Sequence, residues 1–280
     1  MHVDDPSRSL TRRQALAAGL AATGWALGGR LRGADEPTDS GPYGPFKMGI
    51  QSYSLRSFKL HEAMNKTRDL GLHYWEVYPA HIPSDAGQAA HQREHAEEHG
   101  VHVVGYGVVP FTKDHDANRR LFEFGKAMGI AYFSADPAPD SFDSLDKLVE
   151  EFGIPVGIHN HGPGHRYAAI DAISAAIKDH HEKIGCCIDT GHFLRSQEDP
   201  VRAAEVFGKR IYGVHLKDVK DAKTFTVLGE GDLRTAELLR VLAKLKYNYC
   251  LALEYEEKPE DPIEDIKACL AATRKAVGQL

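Results

Sequence analysis

The sequence predicts an α/β fold of one domain, a closed (β/α)8 TIM barrel preceded by an export leader. Three observations carry this expectation. The chain has 280 residues, close to one barrel of about 250 residues with a short extension. Short β-branched or aromatic runs alternate with longer amphipathic stretches about eight times, the pattern of a parallel sheet with crossover helices. Glycines stand where those helices should stop, at Gly71, Gly100, Gly129 and Gly153, each just ahead of the next strand as a left-handed C-terminal cap would be.

Taken in chain order, the first element is a leader over residues 1–33. Arg12 and Arg13 directly precede an Ala- and Gly-rich apolar stretch at 15–29, the order of a twin-arginine export signal. That stretch is shorter than the roughly 20 apolar residues a bilayer span needs, and Gly19, Gly24, Gly28 and Gly29 weaken it as a helix. A stable membrane anchor is therefore not expected, and the mature protein is expected in the periplasm. Residues 34–46, rich in Pro, Gly and polar side chains, read as a linker, and the barrel as 47–280.

The strand candidates are 47–53, 73–78, 101–107, 131–135, 155–160, 184–189, 210–216 and 249–255. Between them lie helical stretches such as 141–152, where Leu145, Leu148, Val149 and Phe152 recur at helical spacing. A doubly wound open sheet is the competing architecture, but no G-x-G-x-x-G follows an early strand.

Hydrophobic residues make up 42% and charged residues 26% of a chain with net charge −6, a balance that supports one large core. With no basic block after residue 33, a nucleic-acid backbone is excluded as the main partner. The four cysteines, Cys186, Cys187, Cys250 and Cys269, lack C-x-x-C spacing and read as packing residues.

In a barrel the C-terminal strand ends share one mouth, so polar residues distant in sequence meet there. Here those ends carry Glu76, His159-Asn160-His161, Asp189-Thr190-Gly191-His192, His215-Leu216-Lys217-Asp218 and Glu254-Tyr255-Glu256. His159, Asp189, His215 and Glu254 form a mixed set of imidazoles and carboxylates, which suits a borderline divalent ion: Mn²⁺ first, with Zn²⁺, Co²⁺ or Fe²⁺ as alternatives.

The motifs Asp189-Thr190-Gly191-His192 and His215-Leu216-Lys217-Asp218, with Leu253-Glu254 near the end and the turn Val227-Leu228-Gly229-Glu230-Gly231, make residues 47–280 resemble the xylose isomerase-like barrel superfamily. That group includes sugar-phosphate isomerases and epimerases, ketose 3-epimerases, inosose dehydratases and endonuclease IV. The resemblance implies a metal shell on His159, Asp189, His215 and Glu254, with His192 touching substrate. One departure matters: the ketose epimerases and endonuclease IV carry a glutamate at the fifth-strand position, where this chain has His159, which puts symmetrical epimerisation in doubt.

With a hydroxyketone held at such a metal, a nearby base removes the C–H proton beside the carbonyl. Glu254 and His192 are the candidate bases. Lys217 and Glu76 are candidate partners for substrate oxygens, although Lys217 could instead form a salt bridge to Asp218 or a neighbouring loop and Glu76 could be a plain mouth hydrogen bond. His161 and His165, in the loop after strand five, are further substrate-binding candidates. The leading expectation is a metal-dependent isomerase or epimerase of a small sugar. A lyase acting on a keto-sugar, keto-glycoside or inosose comes second, and a non-catalytic carbohydrate-binding barrel third. Twin-arginine export, which moves folded proteins, suits a chain that takes its metal before it leaves.

Overall fold

The computed structural model describes Met1 and residues 41–280; the leader at 1–33 and most of the 34–46 linker lie outside the described residues apart from Met1 and 41–46. The strands are β1 (Lys47–Gln51), β2 (Tyr74–Val77), β3 (His102–Phe111), β4 (Tyr132–Pro137), β5 (Val156–His159), β6 (Ile184–Asp189), β7 (Ile211–Leu216), β8 (Asp218–Lys220), β9 (Thr224–Thr226) and β10 (Cys250–Leu253). Eight of them close a ring in the order β1-β10-β7-β6-β5-β4-β3-β2, and every pairing in the ring is parallel. All eight coincide with the strand candidates of the sequence. The antiparallel β8–β9 hairpin stands outside the ring and was not anticipated.

Nine helices pack among the described residues: α1 (Leu60–Asp69), α2 (Ala86–Glu98), α3 (His115–Met128), α4 (Phe142–Phe152), α5 (Ile170–Ile177), α6 (Thr190–Arg195), α7 (Pro200–Phe207), α8 (Thr235–Lys244) and α9 (Ile263–Val277). In α4 the spacing seen in the sequence buries Phe142, Leu145, Leu148 and Val149 on one face, each such side chain contributing about 1.5–3 kcal/mol. Gly71, Gly100, Gly129 and Gly153 have φ of 75°, 73°, 78° and 74°, the left-handed turn that stops each helix and sends the chain into its strand. None of these helices is long and apolar enough to cross a membrane.

The packed chain reaches ahead of Lys47. Tyr43 and Phe46 are buried in the main core, and Arg274 Nη1 in α9 donates to the Tyr43 hydroxyl at 2.9 Å. Inside the ring, Tyr132, Tyr212, Cys250 and Ala252 pack together, with the free thiols of Cys186, Cys187 and Cys269 buried as well. The packing role expected of the cysteines holds, with one addition: the Cys187 thiol lies within 4.8 Å of a His215 ring nitrogen. Burial pushes that thiol up to about 12, so it stays protonated.

Candidate active site

Strand alternation sends one side chain of each pair to the helices and the next into the ring. On β2, Trp75 points outward, its indole N–H donating to Thr67 Oγ1 of α1 at 2.7 Å. Glu76 therefore points inward. On β6, Asp189 ends the strand and caps α6: its Oδ1 accepts the His192 amide at 2.7 Å, leaving Oδ2 to face the mouth. The Asn160 side chain clamps the Asp189 backbone, donating to its carbonyl and accepting from its amide, both at 2.8 Å. Thr190 Oγ1 accepts the Lys217 amide at 2.8 Å, which locks the end of β6 to the end of β7. A side chain at Gly191 would place its Cβ 2.7 Å from Lys217 Cγ, so the glycine makes room for the lysine stem.

These devices bring His159, Asp189, His215 and Glu254 together, all buried, with candidate ligand atoms within 4.8 Å of one another. His159 Nε2 lies 3.1 Å from His215 Nδ1 and 3.4 Å from Asp189 Oδ2; His215 Nδ1 lies 3.0 Å from Glu254 Oε2. Two donors bonded at about 2.1 Å to one ion stand about 3.0–3.4 Å apart, so the spacing fits a shared cation. The buried Asp189 Oδ2 and Glu254 Oε2 accept no well-formed hydrogen bond, although Lys217 Nζ stands 3.0 Å from each. Paired buried oxygens left in this way, beside two imidazole nitrogens, are the donor set of a borderline divalent ion.

Electrostatics point the same way. Burial alone would raise both carboxyls; Lys217, with His192 and His159, holds Asp189 well below its ordinary value, and Lys217 with His215 brings Glu254 down to about 2. Burial would lower His215 and Lys217, yet Cys187, Glu76 and Glu254 raise the first, and Asp189, Glu254 and Glu256 raise the second. The site thus demands positive charge. A divalent ion held by His159, Asp189, His215 and Glu254 would meet that demand and would take the place of a proton on His215.

Above the cage lies a cleft of about 260 Å³ lined by Gln51, Tyr53, Tyr78, Gly107, Val108, His159, His161, His192, Glu254 and Glu256. Of the substrate-binding candidates, His161 lines it. Burial first, then the neighbouring His159, His165 and His192, pushes His161 down to about 3; burial brings His192 to about 4. Both are neutral at neutral pH and can donate to or accept from hydroxyl groups.

Two expectations need correction. Glu76 does not reach the cleft: it is fully buried below the cage, where it takes hydrogen bonds from Gln51 at 2.9 Å, Tyr132 at 2.5 Å and Ser134, and meets His215 Nε2 at 2.7 Å. It acts as a positioning residue that turns His215 Nδ1 to the cage. His165 also stays out of the cleft, its Nε2 3.4 Å from Asp136 and its ring packed on His161 at 4.4 Å. Lys217 pairs with the cage carboxylates and with Glu256 of the neighbouring loop after β10, the loop alternative rather than Asp218. Asp218 instead gathers the amides of Val219, Gly229, Gly231 and Leu233 at 2.8–3.1 Å, tying the 227–231 turn to the start of β8.

Gln51 and Tyr53 went unread in the sequence, and Glu256, noted at its strand end, was given no role. Glu256 is one alternation beyond Glu254 and was recoverable on that ground. We expect Glu76→Gln to lower metal affinity about 10–100-fold with little loss of fold, measured by competition with a metal chelator.

Comparison with known proteins agrees with this architecture. The chain is similar to the inosose dehydratase of Clostridium beijerinckii, 22% identical over 275 residues that cover 86% of this chain and 90% of the relative. Among solved structures it is similar to an L-ribulose 3-epimerase, 17% identical with a TM-score of 0.66 over 83% of this chain and 95% of that one. It also resembles a probable 3-DHS dehydratase of Bacillus anthracis, 12% identical with a TM-score of 0.65 over 81% and 98% of the two chains. The model of the xylose isomerase-like TIM barrel family matches residues 64–275, and with its closed parallel ring the chain belongs to that family.

Proposed function

We propose that the protein is a metal-dependent lyase that eliminates a β-hydroxyl or β-glycosyloxy group from a small polyhydroxylated carbonyl compound. One observation carries this choice over epimerisation: among the described residues the carboxylates lining the cleft, Glu254 and Glu256, both follow β10, whereas the side formed after β5 and β6 offers His159, His161 and His192. Trading a proton between two carboxylates on opposite faces of a carbon needs one on each side, and among the described residues the side after β5 and β6 lines the cleft with imidazoles instead. The relative matched along most of its length is itself named an inosose dehydratase. The cleft volume of about 260 Å³ suits a compound of monosaccharide size.

A divalent ion held by His159, Asp189, His215 and Glu254, Mn²⁺ first and Zn²⁺, Co²⁺ or Fe²⁺ by the same donors, would polarise the substrate carbonyl and acidify the adjacent C–H. Glu254, where cage and cleft meet, accepts that proton. Its low pKa makes it a weak base, so the C–H must be strongly acidified for transfer to it. The electron pair moves to the carbonyl oxygen, and the Lys217 charge, held behind the cleft wall by Asp189, Glu254 and Glu256, favours the negative charge that gathers there. As the pair returns to form the C=C bond, the C–O bond to the β-substituent breaks and the leaving oxygen takes the proton that Glu254 removed, departing as water or an alcohol and leaving Glu254 ionised again. His192 and His161, neutral and across the cleft, hold the hydroxyls. No electron acceptor is needed.

Incubation of the metal-loaded protein with an inosose, a ketose and a 3-keto-glycoside in D₂O tests this reading. An unsaturated or cleaved product is expected; an isomer carrying solvent deuterium with no elimination product would establish isomerisation or epimerisation instead.

A further inference from the structure

A second group of imidazoles lies on the outer wall, apart from every residue of the mouth. His61 sits in the first turn of α1, and His95 and His99 follow one another by one helical turn at the end of α2. His95 Nε2 is 3.1 Å from His61 Nδ1, and the His61 ring lies 4.6 Å and 5.4 Å from those of His95 and His99. The His95 and His99 rings are 4.5 Å apart. One nitrogen from each of the three falls within 4.8 Å of the others.

Three features make this more than crowding. His99 Nδ1 bonds the His95 carbonyl at 2.9 Å, which fixes the proton on Nδ1 and leaves Nε2 as a lone pair, the arrangement by which backbone carbonyls orient metal-bound imidazoles. His95 and His99 at i and i+4 share one helix face, so their rings converge without backbone strain. His61 is exposed, and its Nδ1 already stands 3.1 Å from His95 Nε2, close to the roughly 3.4 Å separating tetrahedral ligands.

We propose that His61, His95 and His99 form a second metal site, which takes a nitrogen-preferring divalent ion of the Zn²⁺, Ni²⁺ or Cu²⁺ kind and clips α1 to α2. With three imidazoles and no carboxylate it suits Mn²⁺ less well than the cage at the mouth does, and Mg²⁺ or Ca²⁺ not at all. Three protein ligands leave a position open to water or to His91, one turn earlier on α2.

The test uses the full chain, stripped with chelator and titrated with Zn²⁺ in a calorimeter. The wild type should bind one equivalent more than either His95→Ala/His99→Ala or His61→Gln, substitutions on different helices that lie outside the catalytic machinery. The Zn²⁺-induced rise in melting temperature should shrink in both variants. Elimination activity with the mouth metal restored should be the same in all three proteins, which keeps this result separate from the fate of the proposed lyase. If either folded variant binds as many equivalents as the wild type, with equal affinity, the site is refuted.

Discussion

Asp189→Asn should remove both the bound metal and the activity while leaving the barrel folded. The substitution is nearly isosteric and keeps an oxygen for the His192 amide that Oδ1 now accepts, so the cap on α6 survives. What disappears is the anionic oxygen shared between the cage and Lys217. Losing it removes one of two carboxylate ligands and leaves the buried ammonium with less compensating charge. Carbonyl polarisation by an ion supplies several kcal/mol, so kcat/KM should fall by about 10³ or more. Elemental analysis should find metal near background, and circular dichroism should match the wild type.

Glu254→Gln carries the second large effect. General-base removal costs about 10²–10⁴ in rate, and Glu254 also faces His215 Nδ1 at 3.0 Å, so part of the metal affinity should go with it. Rate measurements at saturating metal separate the two: kcat should remain at least about 10²-fold down after metal is restored. A barrel that only binds carbohydrate would behave differently. It would keep its ligand affinity in the variant and yield no product from any substrate in either form.

The ring was legible because each of its strands is a short apolar run and because Gly71, Gly100, Gly129 and Gly153 mark the helix ends, both local signals. The cage was legible for a less local reason. A barrel gathers its strand ends, so naming the fold converts the ends of β5, β6, β7 and β10 into one place. Depth was not legible. Glu76 and Glu254 both stand at inward strand positions, but Glu76 lies a layer lower, where Gln51, Tyr132 and Ser134 reach it from neighbouring strands, and the register shift between Trp75 and Glu76 leaves no trace in the residue pattern. His165 was misplaced because loop direction is set by long-range partners, here Asp136. The β8–β9 hairpin is three residues a side, too short for alternation to announce it, although it brings Phe225 to 5.1 Å from Lys217 Nζ.

The account rests on four side chains from four strand ends sharing one cation. Anomalous diffraction from crystals grown with Mn²⁺ tests that most directly. One peak is expected in the mouth, about 2.0–2.3 Å from His159 Nε2, Asp189 Oδ2, His215 Nδ1 and Glu254 Oε2. A fully loaded crystal with no peak there, or with the ion held by other residues, would contradict it.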